Sequence, residues 1–526
     1  VGVSLVVNGV PITGGGSSGG DVVGPASSTD NAIVLFDGTT GKLIKQSPAP
    51  VTIDSSNNMD AVNDITMTGD LNMPATNSSG TEGVITVAGS PFIQSFGTDN
   101  TFVGQDAGNF TLTGTDNTGI GFNALMGITS GSSNVAVGSG AMSSNLGSNN
   151  IGIGFNSLLN GTGTLNVAIG NRALASSTTG NNNIGVGFRA LTGITTGTFN
   201  VAIGSNTMSA TSTGANNVGI GRNAVNGDGS RNIGIGTSAN SGSVNDNIGI
   251  GDHALSSATA SFNIGIGTTA LGSNQSGADN IGIGYHALTN NTLSSDNIGI
   301  GFEALGTLTT GNGGNIAIGT ASLSGNNSVG NVAVGHQTLQ ISTGNQNVAI
   351  GYQTLNVNTI GVNNVAVGYQ ALNTNTVGSN NIALGNSAGT SYTGGESNNI
   401  VIGDPGTSGD FATIRVGNLG TQTTCFIQGI FGVTPSGGTQ TVIINSSGQL
   451  GSMVSSKRYK RDINDMETVT KLIEQLRPVS FKYKPEVCMS NEIQYGLIAE
   501  EVAEIAPDLV VYKDGQPESV MYHMLP

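Results

Sequence analysis

Between residues 100 and 403 one nine-residue string recurs, N-I-G-I-G-x-x-A-L, with polar stretches of varying length between copies. NIGIGFNSL at 150 to 158, NVAIGNRAL at 166 to 174, NIGIGYHAL at 280 to 288 and NVAVGYQAL at 364 to 372 show the pattern and its tolerance. Its first Asn stands at nineteen positions, from Asn100 to Asn399, with a period of about 17 residues that is too short for a pair of helices. β-Branched residues alternating with glycine also oppose helix and favour strand. The pattern predicts one β-solenoid coil per repeat, and nineteen coils at one strand spacing each would make a rod of roughly 90 Å.

Alternation then assigns a role to each position. The second and fourth residues, nearly always Val or Ile, share one face and are expected to point into the coil as its core. The third, Gly or Ala except at Phe102 and Val401, is expected to point outwards and press against another backbone on an oligomer axis. The invariant fifth Gly, Gly104 to Gly403, suits a corner with positive φ. The leading Asn suits a second corner, where Asn tolerates the left-handed region and stacked Asn side chains can bond from coil to coil. Ala and Leu at the eighth and ninth positions are expected to begin a return strand, and the remainder to form outward loops.

Outside the repeats the pattern changes. Residues 1–99, with GDVVGPASSTDNAIVLFDGTTGKLIKQSPAPVTID at 20 to 54 and DITMTGDLNMP at 64 to 74, alternate short apolar runs with Gly, Asp, Asn and Pro turns, as β-rich shaft modules do. Residues 404–454 read as a β collar. From 455 to 526 helix signals enter: METVTKLIEQLRP places Met466, Val469, Leu472, Ile473 and Leu476 on one face before Pro478. VSFKYK and IQYGLIA follow as strands, AEEVAEIAP as a short helix, and LVVYKDGQPESVMY as a hairpin turning at Lys513, Asp514 and Gly515. The fold class expected is mainly β: a trimeric parallel β-roll or β-solenoid fibre with a β-rich N-terminal shaft and a small C-terminal α+β domain.

Composition narrows the function. The chain has 526 residues, 84 of them Gly, only 9% charged, with a formal net charge of −16. Such an acidic surface argues against nucleic acid, which must be met by cations. Cys425 and Cys488 alone make no disulfide framework, and no apolar run is long enough to span a membrane. VGVSLVVNGV, without a basic flank or initiator methionine, reads as a processed or cut-down N-terminus. Nine of the 16 Lys and Arg lie after residue 454, which marks a domain step at VSSKRYKRDI, residues 454 to 463.

Several of these segments resemble known families. The repeats resemble the heads of trimeric autotransporter adhesins, which implies three chains wound in a parallel β-roll; the loops here are longer. The segments at 20 to 54 and 64 to 74 resemble the shafts of phage tail fibres. The set S-x-x-R-x-K-x-x-I at 455 to 463, RPVSFKY, and YGLIAEEVAEIAPDLV resembles the intramolecular chaperone domain of phage tailspikes and endosialidases, the S74 peptidase family. That resemblance implies trimerisation, guided folding of the fibre ahead, and release by self-cleavage of the Val454–Ser455 bond, with Ser455 as nucleophile and Lys460 as base. Where the family commonly has Asp, Ser456 stands here, so two serines are on offer. Spacing of five places brings Ser455 and Lys460 together only if the chain turns. A lysine base must also be neutral, and Lys457, Arg458 and Arg461 supply neighbouring cations. The family usually continues into a trimerising helix, so this domain is expected to be cut short at Pro526.

The reading is a homotrimeric extracellular fibre, on a virion tail or a cell surface, that uses no cofactor or metal and catalyses at most one self-cleavage. The alternatives are an adhesin whose loops bind a host-surface glycan or protein, and a tailspike-type glycan-degrading enzyme. The last needs a carboxylate pair with glycosidase spacing, which the scattered Asp and Glu of the rod do not offer. An ice-binding surface would need a regular column of threonines. His253, His286 and His336 lie too many coils apart to share a metal, and KRYKR taken alone reads as a solvated basic face or a processing site.

Overall fold

The computed structural model describes residues 73–80, 83–307, 313–325, 328–418, 420–427, 441–452, 454–464, 467–486 and 491–525, with the backbone of four further short strands, Val6–Val7, Val10–Pro11, Thr52–Ile53 and Met59–Asp60. Most of the expected N-terminal shaft, together with Met466 and Cys488, lies outside the described residues. The chain divides into two units, Val1–Asn418 and Leu419–Pro526.

In the first unit Ile85–Val87 and Ser90–Gln94 form a hairpin, and Ser90–Gln94 pairs antiparallel with Thr101–Val103. From there each strand pairs parallel and in register with the next, one per repeat, as in Ile248↔Ile264, Gly249↔Gly265 and Ile250↔Ile266. This is the expected β-solenoid. It gains one strand beyond the last repeat, Ile414–Val416, which stacks on Ile400–Ile402 within the stretch assigned to the collar.

The faces of the strand are the reverse of those expected. Ala136, Ala168, Ala202 and the other third-position residues are fully buried inside the coil, whereas Ile264, Ile266, Ile281 and Ile283 are only half-buried on its outside. The reason is the width of the coil. A Cβ placed on Gly265 would lie 2.9 Å from the carbonyl oxygen of Ala270 and 3.1 Å from Leu255 Cγ. The inward residue must be small because the Ala and Leu of the return leg stand directly across from it. No partner chain is needed to explain the Gly/Ala column. Substituting Leu at Gly249 or Gly265 therefore strikes the core of the coil.

The leading Asn residues are buried too, and they form the expected ladder. Asn280 Oδ1 accepts from the backbone N–H of Asn297 at 3.0 Å, and Asn280 Nδ2 donates to the Ser294 carbonyl at 2.9 Å. The pattern repeats along the rod, and each Asn thereby ties its own loop to the start of the next coil. The left-handed residue is the one before the Asn, such as Asp279, Asp296 or Asn363, which corrects the placement made from sequence. At the other corner the fifth Gly has φ +127 at Gly267, and a Cβ there would sit 2.5 Å from the Gly284 carbonyl oxygen.

The Ala-Leu leg is a chain of turns. Leu271 and Leu288 hold φ of 54° and 53°, yet Leu271 N–H still donates to the Ala287 carbonyl of the next coil at 2.9 Å. Among the described residues a paired return strand occurs only at Ser144–Asn145 with Asn160–Gly161. The loops are less free than their composition suggests. Ser294 is buried beside Asn291, and Asn358 and Asn375 extend a second internal amide ladder, 3.0 Å from Asn375 Nδ2 to Asn358 Oδ1.

The second unit holds the strand pairs Val442–Ile444 with Leu450–Ser452 and Val479–Phe481 with Gln494–Gly496. A 3-10 helix, Glu467–Gln475, stands where a helix was expected, followed by the α-helix Ala499–Ile505 and the hairpin Val510–Lys513 with Gln516–Val520. Asp514 and Gly515 both take positive φ in that turn, as a two-residue hairpin requires. Val502, Val510 and Val520 form its small core, with Leu476 and Leu497 packed against them.

Candidate functional site

The basic step VSSKRYKRDI folds as one tight turn. Ser456 is the N-cap of a 3-10 helix, Lys457–Tyr459, with Lys460 as its C-cap. The turn carries Lys460 back over the start of the segment, so that Lys460 Nζ donates to Ser455 Oγ at 3.2 Å. Ser456 Oγ is engaged elsewhere. It accepts from the backbone N–H of Arg458 at 3.4 Å and from Arg458 Nε at 3.3 Å. The two serines thus have different partners: Ser455, named as nucleophile from the resemblance, meets Lys460, and Ser456 caps the turn. Val454, Ser455 and Lys460 are all exposed in the single chain. Arg458 lies over the Tyr459 ring, and Arg461 faces Asp462 at 3.6 Å.

A second polar constellation, missed from sequence, closes the C-terminal end of the solenoid. Arg415 grips Asp410 with two bonds of 2.7 and 2.8 Å, and the buried Tyr392 donates its hydroxyl to the same carboxylate at 3.1 Å. The Arg415 bonds hold Asp410 below the ordinary carboxylate range, while burial, aided by Asp410, pushes the Tyr392 phenol up. Glu396 accepts from Gly394 and Gly409 N–H groups at 2.9 and 3.1 Å. The one signal for this clasp in the sequence is Thr413, which stands where the ladder Asn would be and whose N–H donates to Asn399 Oδ1.

The histidines stay apart. His286 stacks on Tyr285, His336 on Tyr352, and His253 approaches Asp252 at 3.1 Å. Among the described residues no group of His, Cys, Asp and Glu is placed to hold a metal, and no helix is long and apolar enough to cross a membrane. A surface pocket between 241–244 and 256–259 is lined by Ser, Gly, Val, Ala and Thr, without a titratable side chain.

No curated protein and no solved structure matched the chain. Residues 455–511 match the family model described as Chaperone of endosialidase, Peptidase_S74, so the chain joins a long β-solenoid, as in a tail-fibre-type protein, to a C-terminal domain similar to that family's.

Proposed function

We propose that this chain is the subunit of a homotrimeric extracellular fibre whose C-terminal domain drives assembly and then releases itself by cutting before Ser455. The observation that carries the proposal is the Ser455–Lys460 contact inside a segment similar to the endosialidase chaperones. In the step proposed, neutral Lys460 takes the proton of Ser455 Oγ as that oxygen attacks the Val454 carbonyl. The amide bond breaks, the Ser455 nitrogen receives the proton, and an ester joins Val454 to Ser455 Oγ. Water then hydrolyses the ester to a Val454 carboxylate and a free serine hydroxyl.

Association of chains supplies what the single chain lacks. Val454, Ser455 and Lys460 lie open to water, and covering them would favour the neutral lysine that the base role requires. The Ile and Val columns of the rod form two continuous half-exposed apolar rows, with Ile151, Ile184, Ile203 and Ile220 each more than a third exposed. Val442, Ile444 and Leu450 of the collar hairpin are about two-thirds exposed. Rows of this length, wound around a threefold axis, would be covered by the same rows of two further copies.

The test is a denaturing gel and native mass of the natural full-length protein beside Ser455→Ala, Lys460→Ala and Ser456→Ala. The first two variants should stay uncut yet trimeric, and the third should be cut. Cleavage of Ser455→Ala at the parent rate would remove the dyad, and a monomeric parent would remove the fibre.

A further inference from the structure

Residues 117–227 contain no Asp, Glu or Lys, although the chain as a whole has a formal net charge of −16. Three arginines are the only charged side chains of that stretch: Arg172, Arg189 and Arg222. Arg172 and Arg189 occupy the same place in adjacent coils, since Phe188 and Arg189 stack on Asn171 and Arg172 and the Arg189 N–H donates to the Asn171 carbonyl at 2.9 Å. Both are exposed and both sit at positive φ, a conformation that arginine adopts at a cost. Like charges one strand spacing apart repel. Elsewhere on the solenoid the arginines Arg231 and Arg415 each have a carboxylate partner, Asp246 and Asp410. Arg172 and Arg189 have none among the described residues.

We infer that Arg172 and Arg189, with the exposed rings of Phe155 and Phe188 beside them, form a binding site for an anionic saccharide. Phe155 and Phe188 are about half exposed and stand two coils apart, roughly 10 Å, with Asn171 between them. Rings so spaced offer exposed apolar surface to alternate sugars of a linear chain, the amide offers hydrogen bonds to hydroxyls, and the guanidinium pair receives a carboxylate or phosphate substituent. Arg189 is steadied over the Phe188 ring, 6.0 Å from its centroid. A long polyanion such as duplex DNA is disfavoured, because the flanking coils bring back carboxylates at Asp116 and Asp228. The site needs the rod alone and is independent of cleavage.

The test is calorimetric titration of the whole protein with oligogalacturonate, its neutral methyl ester, phosphorylated mannan and unmodified mannan. At least one anionic probe should bind, more weakly as salt rises, and its neutral counterpart should not; which one binds distinguishes carboxylate from phosphate. Arg172→Gln with Arg189→Gln should weaken that binding roughly tenfold or more, Phe155→Ala with Phe188→Ala should also weaken it, and Arg231→Gln should leave it unchanged. Equal binding of neutral and anionic probes, no binding by the parent, or parent-like affinity of the double arginine variant would overturn the site. A change in native mass on replacing the two arginines would overturn it as well, by assigning them to a contact between copies. The mass of the parent, measured separately, reports on the fibre reading alone.

Discussion

A single asparagine in this rod does the work of several backbone groups. Asn280 accepts from the N–H of Asn297 and donates to the Ser294 carbonyl, and both partners are buried. Asn280→Ala should leave the buried Asn297 N–H without its side-chain acceptor, while the Ser294 carbonyl keeps its bond from Asn291 Nδ2, and should cost roughly 1 to 3 kcal/mol, read as a lowered thermal midpoint. Gly267→Ala should cost a comparable amount for a different reason, because its Cβ would meet the Gly284 carbonyl oxygen at 2.5 Å in a positive-φ corner. Asp410 makes the C-terminal end of the solenoid sensitive to acid. Its folded pKa is lowered first by the Arg415 bonds, so the stabilisation is complete above the ordinary carboxylate value of about 4 and is lost as pH falls below it. Amide protection near Tyr392 and Arg415, taken relative to the intrinsic exchange rate at each pH, should fall at low pH in the parent, whereas Asp410→Asn should show lowered protection already at neutral pH and little further change with acid. The ladder Asn and the corner Gly were legible in the sequence because their roles depend on residue type. The clasp was not, since Tyr392, Asp410 and Arg415 meet only through the fold.

At the scale of the strand, period two tells which residues share a face but not which face lies inside. Apolar size suggested that Ile and Val would be the interior; the width of the coil decided otherwise, since Leu255 and Ala270 leave room only for Gly265. The consequence for mutagenesis is an inversion. Ile264→Asp with Ile266→Asp should preserve the circular-dichroism spectrum of the rod while lowering its association, whereas Gly265→Leu should unfold the coil itself. Loss of the folded spectrum in the aspartate variant with an intact spectrum in the leucine variant would contradict the assignment. The C-terminal elements were legible for the opposite reason: Asp514-Gly515 and the apolar spacing around Val502 are local signals. What stayed hidden was the 3-10 form of Glu467–Gln475, longer than such helices usually run.

For the whole molecule, assembly and maturation make one linked expectation. If chain association covers the Ser455–Lys460 turn, variants that weaken association should also be cut more slowly, although their dyad is intact. A gel time course of the Ile264→Asp, Ile266→Asp variant beside the parent reads this; equal rates would separate the two events. The sequence resemblance pointed to this coupling. The geometry adds that Ser456 is occupied as a cap, which no spacing argument supplies.

The in-register stacking of like on like also makes the rod a ruler. In the coils that begin at Asn263 and Asn280 each offers its neighbour the same Asn, Gly and Leu that it receives, so a whole repeat can be removed or inserted there without altering the cross-section. Deleting residues 263–279 should join Phe262 to Asn280, shorten the rod by about one strand spacing, roughly 4.8 Å, and leave a folded stack. Deleting half as many would bring a loop against a strand and should not fold. Length is thus the property of this molecule that duplication and loss of a short stretch of gene can tune in small, equal steps, each step leaving a stack of complete coils.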